Sequence, residues 1–163
     1  MNLAGVARAW VGLGANLGDP ATTVRQALAE LGKLPQTTMA AHSSLYATQP
    51  IDAGGPEYCN AVARLSTTLP PEALLQHLQE IEAAHGRERP WRNAPRTLDL
   101  DLLLYDDMVR HTSTLTLPHP RMHQRAFVLA PLLELDPGVI LPGLGPARNL
   151  LAATSSQPIR KLP

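Results

Sequence analysis

The spacing of hydrophobic and polar positions predicts four strands and two long helices over the first two thirds of the chain. Strands are expected where β-branched or alternating apolar residues are bounded by turn residues. Such stretches are residues 7–15, 37–48, 58–69 and 96–105. Helices are expected where apolar residues recur three or four positions apart. Two stretches have this spacing: residues 20–32, with Val24, Leu28 and Leu31, and residues 70–86, with Leu74, Leu75, Leu78 and Ile81.

Residues that start and stop helices support the first of these helices. Asp19 can accept a hydrogen bond at the helix start, and Pro20 suits the first helical position. Gly32 is expected just past the last helical turn.

The final third of the chain predicts shorter elements. Residues 113–120 indicate a short strand followed by a turn, and residues 123–135 a helix interrupted at Pro131. The last thirty residues contain five prolines, so we expect loops there and one short helix near Asn149.

The predicted order of elements, β-α-β-β-α-β, is that of the ferredoxin-like fold. In this α+β class, helices cover one face of a mainly antiparallel sheet. Additional C-terminal helices would cover part of the other face. No internal repeat or linker divides residues 1–163, so we expect one domain.

Composition and charge exclude several classes of function. The 163 residues carry a net charge of zero, so no overall basic field favours nucleic acid or an anionic membrane. No stretch is apolar for long enough to span a membrane. The single cysteine, Cys59, excludes an internal disulfide and suits a reducing compartment. We therefore expect a cytoplasmic protein without nucleic-acid or membrane partners, and take a monomer as the starting assumption.

Two aspartates interrupt a run of leucines in residues 96–105, "RTLDLDLLLY". Because side chains alternate across a strand, Asp99 and Asp101 should share a face with Leu103 and Tyr105, their own α-carbons about 6.6–6.8 Å apart. The opposite, core face should hold Leu98, Leu100, Leu102 and Leu104. Two carboxylates this close suit magnesium, which binds through one or two carboxylates together with substrate phosphates. The alternative is an ordinary strand that faces solvent.

The loop before this strand is rich in arginine. Its sequence, "GRERPWRNAPR", carries Arg87, Arg89, Arg92 and Arg96. Guanidinium groups bind phosphate oxygens in bidentate fashion, and metal-binding carboxylates beside phosphate-binding arginines are the groups that phosphoryl transfer requires. A solvated charged loop is the alternative for any single arginine. A glycosidase carboxylate pair is less favoured because it needs no cluster of arginines.

Other candidate residues carry weaker signals. Tyr58 and Asn60 share a strand face, and Phe127 could stack on a planar ligand or belong to the core. His119 could bind phosphate or cap a turn. The stretch "GLGANLGD" misses the spacing of a nucleotide-binding glycine loop. Its small residues favour close approach of backbones or of a ligand.

Taken together, these segments resemble the 6-hydroxymethyl-7,8-dihydropterin pyrophosphokinases of the folate pathway. The stretch "APRTLDLDLL" is similar to a long and specific signature of that family. Similar segments run in order through "GLGANLGD", "LYATQPI", "EYCNAV", "IEAAHGRER" and "LTLPHPRMHQRAFVLAPL", over roughly nine-tenths of the chain. The resemblance implies a ferredoxin-like α+β fold. It also implies transfer of the terminal pyrophosphate of ATP to the pterin hydroxymethyl group, with release of AMP and with two magnesium ions.

The resemblance further implies roles for individual residues. The metal ions would be bound by Asp99 and Asp101, and the catalytic residues would be these two together with Arg87 and Arg96. ATP would be bound by Gln79, Glu82, Arg89, Arg92, Leu102, Thr116, His119 and Arg125. The pterin would lie between the rings of Tyr58 and Phe127. Its remaining contacts would come from Thr48, Pro50, Ile51 and Asn60.

The chain differs from the common pattern of this family near the nucleotide. Asn93 replaces a tryptophan of the arginine loop, and Thr114 and Pro120 stand where an arginine and a tyrosine are common. These changes concern the contacts to ATP. A further difference lies in the pterin loop, where Gln49 and Pro50 stand in place of a pair of prolines and the loop is one residue shorter. The aspartate pair and the two stacking rings are retained.

Two other classes of function remain as alternatives. A ferredoxin-like module that binds a nucleotide without catalysis would need the arginines and could tolerate the aspartates as surface residues. An RNA-binding sheet is disfavoured by the neutral charge and by the low content of aromatic residues, 4%.

Overall fold

A six-stranded antiparallel sheet organises the computed structural model, which describes residues 5–49, 56–86 and 97–163. Its strands are β1 (Ala7–Ala15), β2 (Thr37–His42), β3 (Tyr46–Thr48), β4 (Tyr58–Thr67), β5 (Asp99–Tyr105) and, at the end of the chain, β10 (Ile159–Lys161). The strand order is β10-β3-β4-β1-β5, and β2 pairs with the other half of β4 beyond β3. The central strand β1 therefore lies between β4 and β5, antiparallel to both.

Four α-helices, two short 3₁₀ helices (Met122–Gln124 and Ala152–Thr154) and two small hairpins complete the described part of the chain. The α-helices are α1 (Pro20–Leu31), α2 (Pro71–His85), α3 (Ala126–Leu135) and α4 (Ala147–Leu151). The hairpins are β6 (Arg110–His111) with β7 (Thr116–Leu117), and β8 (Ile140–Leu141) with β9 (Gly145–Pro146). None of the described helices combines the length and the apolar composition that crossing a bilayer requires.

The predicted start of α1 is confirmed. Asp19 caps the helix, accepting hydrogen bonds from the backbone N–H of Thr22 at 3.3 Å and from its hydroxyl at 2.8 Å. These bonds lower the pKa of Asp19. Pro20 occupies the first turn and Gly32 the C-terminal cap. The helices predicted over residues 70–86 and 123–135 are present as α2 and α3, and Pro131 lies inside α3 without ending it.

The sheet separates two hydrophobic clusters. The larger cluster lies between the sheet and helices α1 and α2, and includes Ala61, Ala63, Leu74, Leu78, Leu100 and Leu102. The smaller cluster lies on the opposite face, where α3 and α4 pack, and includes Trp10, Val62, Leu103, Leu129 and Leu132. Helices therefore cover both faces, and the second face has the smaller cluster.

The single strand predicted over residues 37–48 is wrong in detail, because the structure contains two strands there. The interruption centres on Ser43, which is buried. Its backbone N–H donates to the carbonyl of Val62 at 2.8 Å, and its hydroxyl accepts from the Val62 N–H at 2.9 Å. The Ser43 hydroxyl thus takes the place of a backbone carbonyl as the partner of the Val62 N–H. The chain can therefore break between β2 and β3 while the N–H and the carbonyl of Val62 stay hydrogen-bonded.

The predicted face of Leu104 and Tyr105 is also wrong, because a bulge interrupts β5. Trp10 pairs with Leu104 and Val11 with Leu102, so Leu103 is an extra residue on β5. An extra residue shifts the alternation of the side chains that follow it. Leu104 consequently joins the smaller cluster with Leu103, and Tyr105 joins the larger one.

The C-terminal strands were not predicted. β8, β9 and β10 contain two or three residues each, and the stretch around them has repeated prolines and no alternating pattern. β10 depends on partners far away in the sequence: Ile159 pairs with Thr48 and Lys161 with Tyr46. Such pairing carries no local signal.

A hydrogen-bonded cluster around Glu134 joins α3 to β3 and to the residues just before it. The Tyr46 hydroxyl donates to the Glu134 carboxylate at 2.5 Å, and the Ser44 N–H donates to it at 2.9 Å. Lys161 lies 3.9 Å away. Burial alone would raise the pKa of Glu134, but the hydrogen bonds from Tyr46 and Ser44 outweigh it and lower the pKa. The ionised carboxylate therefore stabilises the attachment of α3 to the sheet.

We predict that the stabilising effect of Glu134 depends on pH. Because folding lowers its pKa below the ordinary value of 4.5, its contribution is complete above that value and is lost as the pH falls through the lowered pKa. Glu134→Gln should thus be less stable than the parent chain at neutral pH, and the difference should shrink below about pH 4. Urea unfolding across this range measures it. Glu80→Gln, whose side chain is 63% exposed, is the control and should change stability little. A difference for Glu134→Gln that does not vary with pH would contradict this assignment.

Candidate active site

The register of the central strands places the candidate residues in two rows across one face of the sheet. Gly14 pairs with Asn60 on one side and with Asp99 on the other. Gly12 likewise pairs with Val62 and with Asp101. Directly paired residues present their side chains on the same face, and Val62 belongs to the cluster under α3. Both aspartates therefore face the side of the sheet on which α3 packs.

The two glycines leave the middle of these rows without side chains. A Cβ atom at Gly14 would lie 2.9 Å from the Asn60 amide nitrogen, and one at Gly12 would lie 3.4 Å from Leu103. The Asn60 side chain thus lies over Gly14 in space that any other residue would occupy. The result is a shallow floor between an amide group and a pair of carboxylates.

Asp101 has a basic side chain on each side. Its Oδ1 atom is 3.8 Å from His119 Nε2, and its Oδ2 atom is 3.9 Å from Arg125 Nη1. Both separations exceed hydrogen-bond length, and the Asp101 side chain is 41% exposed. The carboxylate is thus held in a positive environment while its oxygens remain accessible to a ligand.

His119 is fixed in one orientation by the backbone. Its backbone N–H donates to the Leu103 carbonyl at 2.9 Å. Its ring Nδ1 accepts from the backbone N–H of Arg121 at 3.1 Å. Since Nδ1 accepts, the proton of the neutral ring lies on Nε2, which is directed at Asp101. Burial lowers the pKa of His119 against the opposing effect of Asp101, and Arg125 lowers it further. The ring is therefore a neutral Nε2–H donor at neutral pH.

Helix α2 is joined to the strand that carries the aspartates. The Glu82 carboxylate accepts from the N–H of Leu100, the residue between Asp99 and Asp101, at 2.9 Å. Gln79 is exposed one turn earlier. Leu75, Gln79 and Glu82 follow helical spacing and so lie along one side of α2. The predicted residues Gln79 and Glu82 therefore lie on the same side of α2 as Leu75. Of these three residues, only Leu75 lines the cavity described next.

A cavity of about 250 Å³ opens beside β5. Its apolar wall consists of leucines from α2, β5 and the β6–β7 turn, and its rim carries hydroxyl groups, Asp101 and His119. The lining residues are Leu75, Leu100, Asp101, Leu102, Thr112, Ser113, Thr114, Leu115, Thr116, His119 and Pro120. The predicted ligand-binding residues Leu102, Thr116 and His119 therefore meet in one space.

A second set of candidate residues lies across the glycine floor from the aspartates. The Thr48 hydroxyl donates to the side-chain oxygen Oδ1 of Asn60 at 2.6 Å, which fixes the orientation of the Asn60 side-chain amide. The Asn60 NH₂ group is 3.5 Å from the Leu13 carbonyl, at the limit of a hydrogen bond. Both side chains are buried, so the orientation of the amide is set before any ligand arrives.

The two aromatic candidates lie on this same face. Tyr58 is partly buried on β4, two residues before Asn60, and Phe127 is partly buried near the start of α3. The guanidinium carbon of Arg125 lies 5.4 Å from the centre of the Phe127 ring. Arg125 therefore connects the aromatic side of the floor to Asp101.

Comparison with known proteins accounts for this combination of groups. Residues 10–137 match a family model described as 7,8-dihydro-6-hydroxymethylpterin-pyrophosphokinase (HPPK). The chain is 42% identical over 159 residues to the 2-amino-4-hydroxy-6-hydroxymethyldihydropteridine pyrophosphokinase of Pseudomonas aeruginosa. The aligned residues make up 97% of this chain and 98% of the relative. The chain belongs to the HPPK family.

Further relatives agree with this assignment. The Bacillus subtilis pyrophosphokinase of the same name is 42% identical over 128 residues, 78% of this chain and 77% of its own. The solved HPPK-DHPS protein of Plasmodium falciparum matches with a TM-score of 0.75 at 13% identity, over 93% of this chain and 45% of that chain. That likeness concerns the fold alone, and the HPPK chain described here spans less than half the length of the Plasmodium protein.

The donor groups of this HPPK chain fit a hard divalent cation bound jointly with phosphate. Asp99 and Asp101 occupy adjacent rows of one face, and Asp101 lines the cavity. Within the described residues, no group of three or more His, Cys, Asp or Glu side chains could hold a metal ion by itself. Two carboxylates and phosphate oxygens are a ligand set typical of magnesium.

Several predicted residues lie outside the described part of this HPPK chain. They are Pro50 and Ile51 and the four arginines Arg87, Arg89, Arg92 and Arg96. The small residues of "GLGANLGD" were expected to allow close approach of backbones or of a ligand, and Gly14 does lie against the Asn60 side chain. The partners of the two glycines, and the position of the threonine-rich β6–β7 turn at the cavity, could not be predicted, because local sequence does not show which residues they face.

We predict that Gly14→Ala disturbs the site through Asn60. The new Cβ would lie 2.9 Å from the amide nitrogen, so Asn60 must move and the hydrogen bond from Thr48 must break or bend. The cost should be about 1–3 kcal/mol of unfolding free energy. Gly138→Ala is the matched control, since its Cβ would make an ordinary contact at 3.6 Å with Asp136. Urea unfolding measures the cost and the NMR signals of the Asn60 side-chain amide report its position. Unchanged amide signals in Gly14→Ala would contradict the close packing described here.

Proposed function

We propose that this chain transfers pyrophosphate from ATP to the hydroxyl of 6-hydroxymethyl-7,8-dihydropterin and releases AMP, as a step of folate biosynthesis. The observation that carries the proposal is the arrangement across Gly12 and Gly14. Carboxylates with a histidine and an arginine lie on one side of the glycines, and an oriented amide with aromatic rings lies on the other. A phosphate donor and a planar acceptor could thus meet above one floor.

The nucleotide would occupy the cavity beside β5. Its leucine wall suits a base or a ribose, and Thr116 and His119 lie on its rim. Arg125 adds a positive charge on the other side of Asp101. Thr114 and Pro120, which replace an arginine and a tyrosine common in the family, also line this cavity. The nucleotide in this chain would therefore meet small polar and apolar groups where other members present larger side chains.

Asp99 and Asp101 would hold two magnesium ions together with the phosphates of ATP. Bound magnesium would offset charge on the phosphates and make the acceptor hydroxyl more acidic. The role of the protein is to keep the two carboxylates on adjacent rows of a rigid sheet. Glu82 supports this role, because it binds the backbone between them.

The pterin would lie across the glycine floor, between the rings of Tyr58 and Phe127. Asn60 keeps donor capacity beyond its long contact with Leu13, while Thr48 fixes which way the amide points. A planar heterocycle with donors and acceptors along one edge matches this combination of stacking and hydrogen bonding. Pro50 and Ile51 remain proposed contacts.

His119 and Arg125 would stabilise charge that develops during transfer. Both are held before the substrates bind: His119 by two backbone contacts, and Arg125 by its position between Phe127 and Asp101. Donors fixed in advance stabilise a transition state without the cost of reorganisation. The arginines Arg87, Arg89, Arg92 and Arg96 are proposed to add phosphate contacts of the same kind.

We also propose that the fold is ferredoxin-like and that residues 1–163 form one domain. If β2 and β3 are counted as one interrupted strand, the order across the sheet is the second, third, first and fourth strand, with neighbours antiparallel. This order, together with the two helices after β1 and β4, supports the assignment.

We predict that Asp99→Asn and Asp101→Asn each reduce turnover by about 10²-fold or more, since each removes an anionic ligand of the magnesium ions that would offset the charge of the phosphates. The assay incubates the protein with ATP, magnesium and the hydroxymethyl pterin and quantifies AMP and the pterin diphosphate. The control is Asp107→Asn, because Asp107 is exposed in the turn after β5 and should leave turnover unchanged.

The same assay separates the proposed function from its alternatives. Formation of ADP would indicate simple phosphoryl transfer, and bound nucleotide without any product would indicate a binding module. Near-normal turnover in either aspartate variant would exclude its role as a metal ligand.

We further predict that Phe127→Ala weakens pterin binding by about 10-fold or more, because stacking on an aromatic ring contributes about 1–3 kcal/mol. Binding of a non-hydrolysable ATP analogue with magnesium should change by less than about twofold. Titration calorimetry measures both. Leu133→Ala is the control, since Leu133 contacts the same hydrophobic cluster from α3. Equal losses for the two ligands in Phe127→Ala, matching those in Leu133→Ala, would assign the ring to the core instead.

A further inference from the structure

The start of α3 is capped by a residue from the far end of the chain. Arg125 precedes the helix and provides no side-chain cap. The Ala126 N–H instead donates to the side-chain oxygen of Gln157 at 2.9 Å. The Gln157 side-chain NH₂ donates to the carbonyl of Gln124 at 2.8 Å. One amide side chain thus binds the backbone on both sides of Arg125.

Gln157 is itself held at both ends. Its backbone N–H donates to the carbonyl of Thr154, a buried residue, at 2.9 Å. Two residues later the chain enters β10, where Ile159 pairs with Thr48. The same short segment therefore touches the loop that carries Arg125 and the strand that carries Thr48. These are opposite walls of the proposed pterin site.

An ion pair on this segment is a weaker candidate for the same role. Arg160 lies 2.8 Å from Glu57, beside Tyr58, but their side chains are 62% and 42% exposed. Exposed ion pairs contribute little and are screened by salt. The two bonds of Gln157 differ in kind, because they engage backbone groups on both sides of Arg125, and one of these groups is the Ala126 N–H at the start of α3, which has no intrahelical partner.

We propose that Gln157 is a positioning residue, which sets Arg125 and Phe127 over the glycine floor by fixing the backbone from Gln124 to Ala126. Arg125 is adjacent to both bonds, and its guanidinium group lies over the Phe127 ring and 3.9 Å from Asp101. A shift at this point would move the stacking ring and the positive charge together. Gln157 lies outside residues 10–137, which match the family model. The proposal rests on the proposed function.

The test compares Gln157→Met, which keeps the length of the side chain and removes both hydrogen bonds, with Gln76→Met on the exposed surface of α2. Loss of the two bonds should weaken pterin binding by about 3–10-fold in Gln157→Met, as expected for one or two neutral hydrogen bonds. Binding of a magnesium ATP analogue in the absence of pterin should change by less than about twofold. Gln76→Met should change neither.

Hydrogen exchange provides a measurement independent of activity. The amides of residues 126–128 should exchange faster in Gln157→Met than in the parent chain, whereas those of α2 should not. Faster exchange with unchanged pterin affinity would overturn the proposal, because Gln157 would then cap the helix without positioning the site. Unchanged exchange would overturn it as well.

A conservative variant guards against a general loss of folding. Gln157→Glu retains an oxygen that accepts from the Ala126 N–H. At neutral pH, however, its ionised carboxylate cannot donate to the Gln124 carbonyl and is repelled by it. Its pterin affinity relative to the parent chain should recover as the pH approaches the carboxyl pKa of about 4.3, because the protonated group donates again. A relative affinity that does not vary with pH would contradict the positioning role. If the parent chain forms no AMP and pterin diphosphate but still binds pterin, the proposed function fails and these binding and exchange measurements still test Gln157.

Discussion

The antiparallel pairing of β1 with both β4 and β5 is the constraint on which the rest of this structure depends. It fixes Gly14 between Asn60 and Asp99, and Gly12 between Val62 and Asp101. A shift of one residue in either pairing would turn the aspartates toward the dry cluster under α1 and α2, where a carboxylate would lose its hydration. The packed leucines of β5 oppose such a shift, so the core and the candidate site are set by the same register.

The two faces of the sheet have separate tasks. The face toward α1 and α2 is apolar along every central strand. On the other face, α3 and α4 cover Trp10, Val62 and Leu103. The same face also carries the polar side chains of Asn60, Asp99 and Asp101. The bulge at Leu103 helps to make this division, since it directs two successive leucines to the second face and places Leu103 beside Gly12.

The carboxylate of Asp101 is not paired at close range with its basic neighbours. Asp101 is almost 4 Å from both His119 and Arg125, whereas backbone groups fix His119 and the Gln124–Ala126 backbone. A close ion pair would satisfy the carboxylate and compete with a ligand. The observed spacing leaves the Asp101 carboxylate available for metal, and the neighbouring His119 and Arg125 available for phosphate.

Much of the fold followed from local sequence. The periodicity of Val24, Leu28 and Leu31, the cap at Asp19 and the alternation before Leu103 each depend on residues a few positions apart, so the helices, the main strands and the shared face of Asp99 and Asp101 could be predicted. The resemblance of "APRTLDLDLL" to a family signature identified the chemistry. The break at Ser43 and the bulge at Leu103 could not be predicted, because each depends on a partner strand.

The sequence by itself indicated which groups this HPPK chain would bring to the proposed site: two carboxylates, a histidine, arginines and two rings. Only the tertiary structure decided how they face one another. The use of Gly12 and Gly14 as a floor, the orientation of Asn60 by Thr48, and the two bonds of Gln157 around Arg125 join residues that are 12 to 89 positions apart. Such contacts form when strands pair and helices pack, and those long-range interactions leave no periodic signal in the chain.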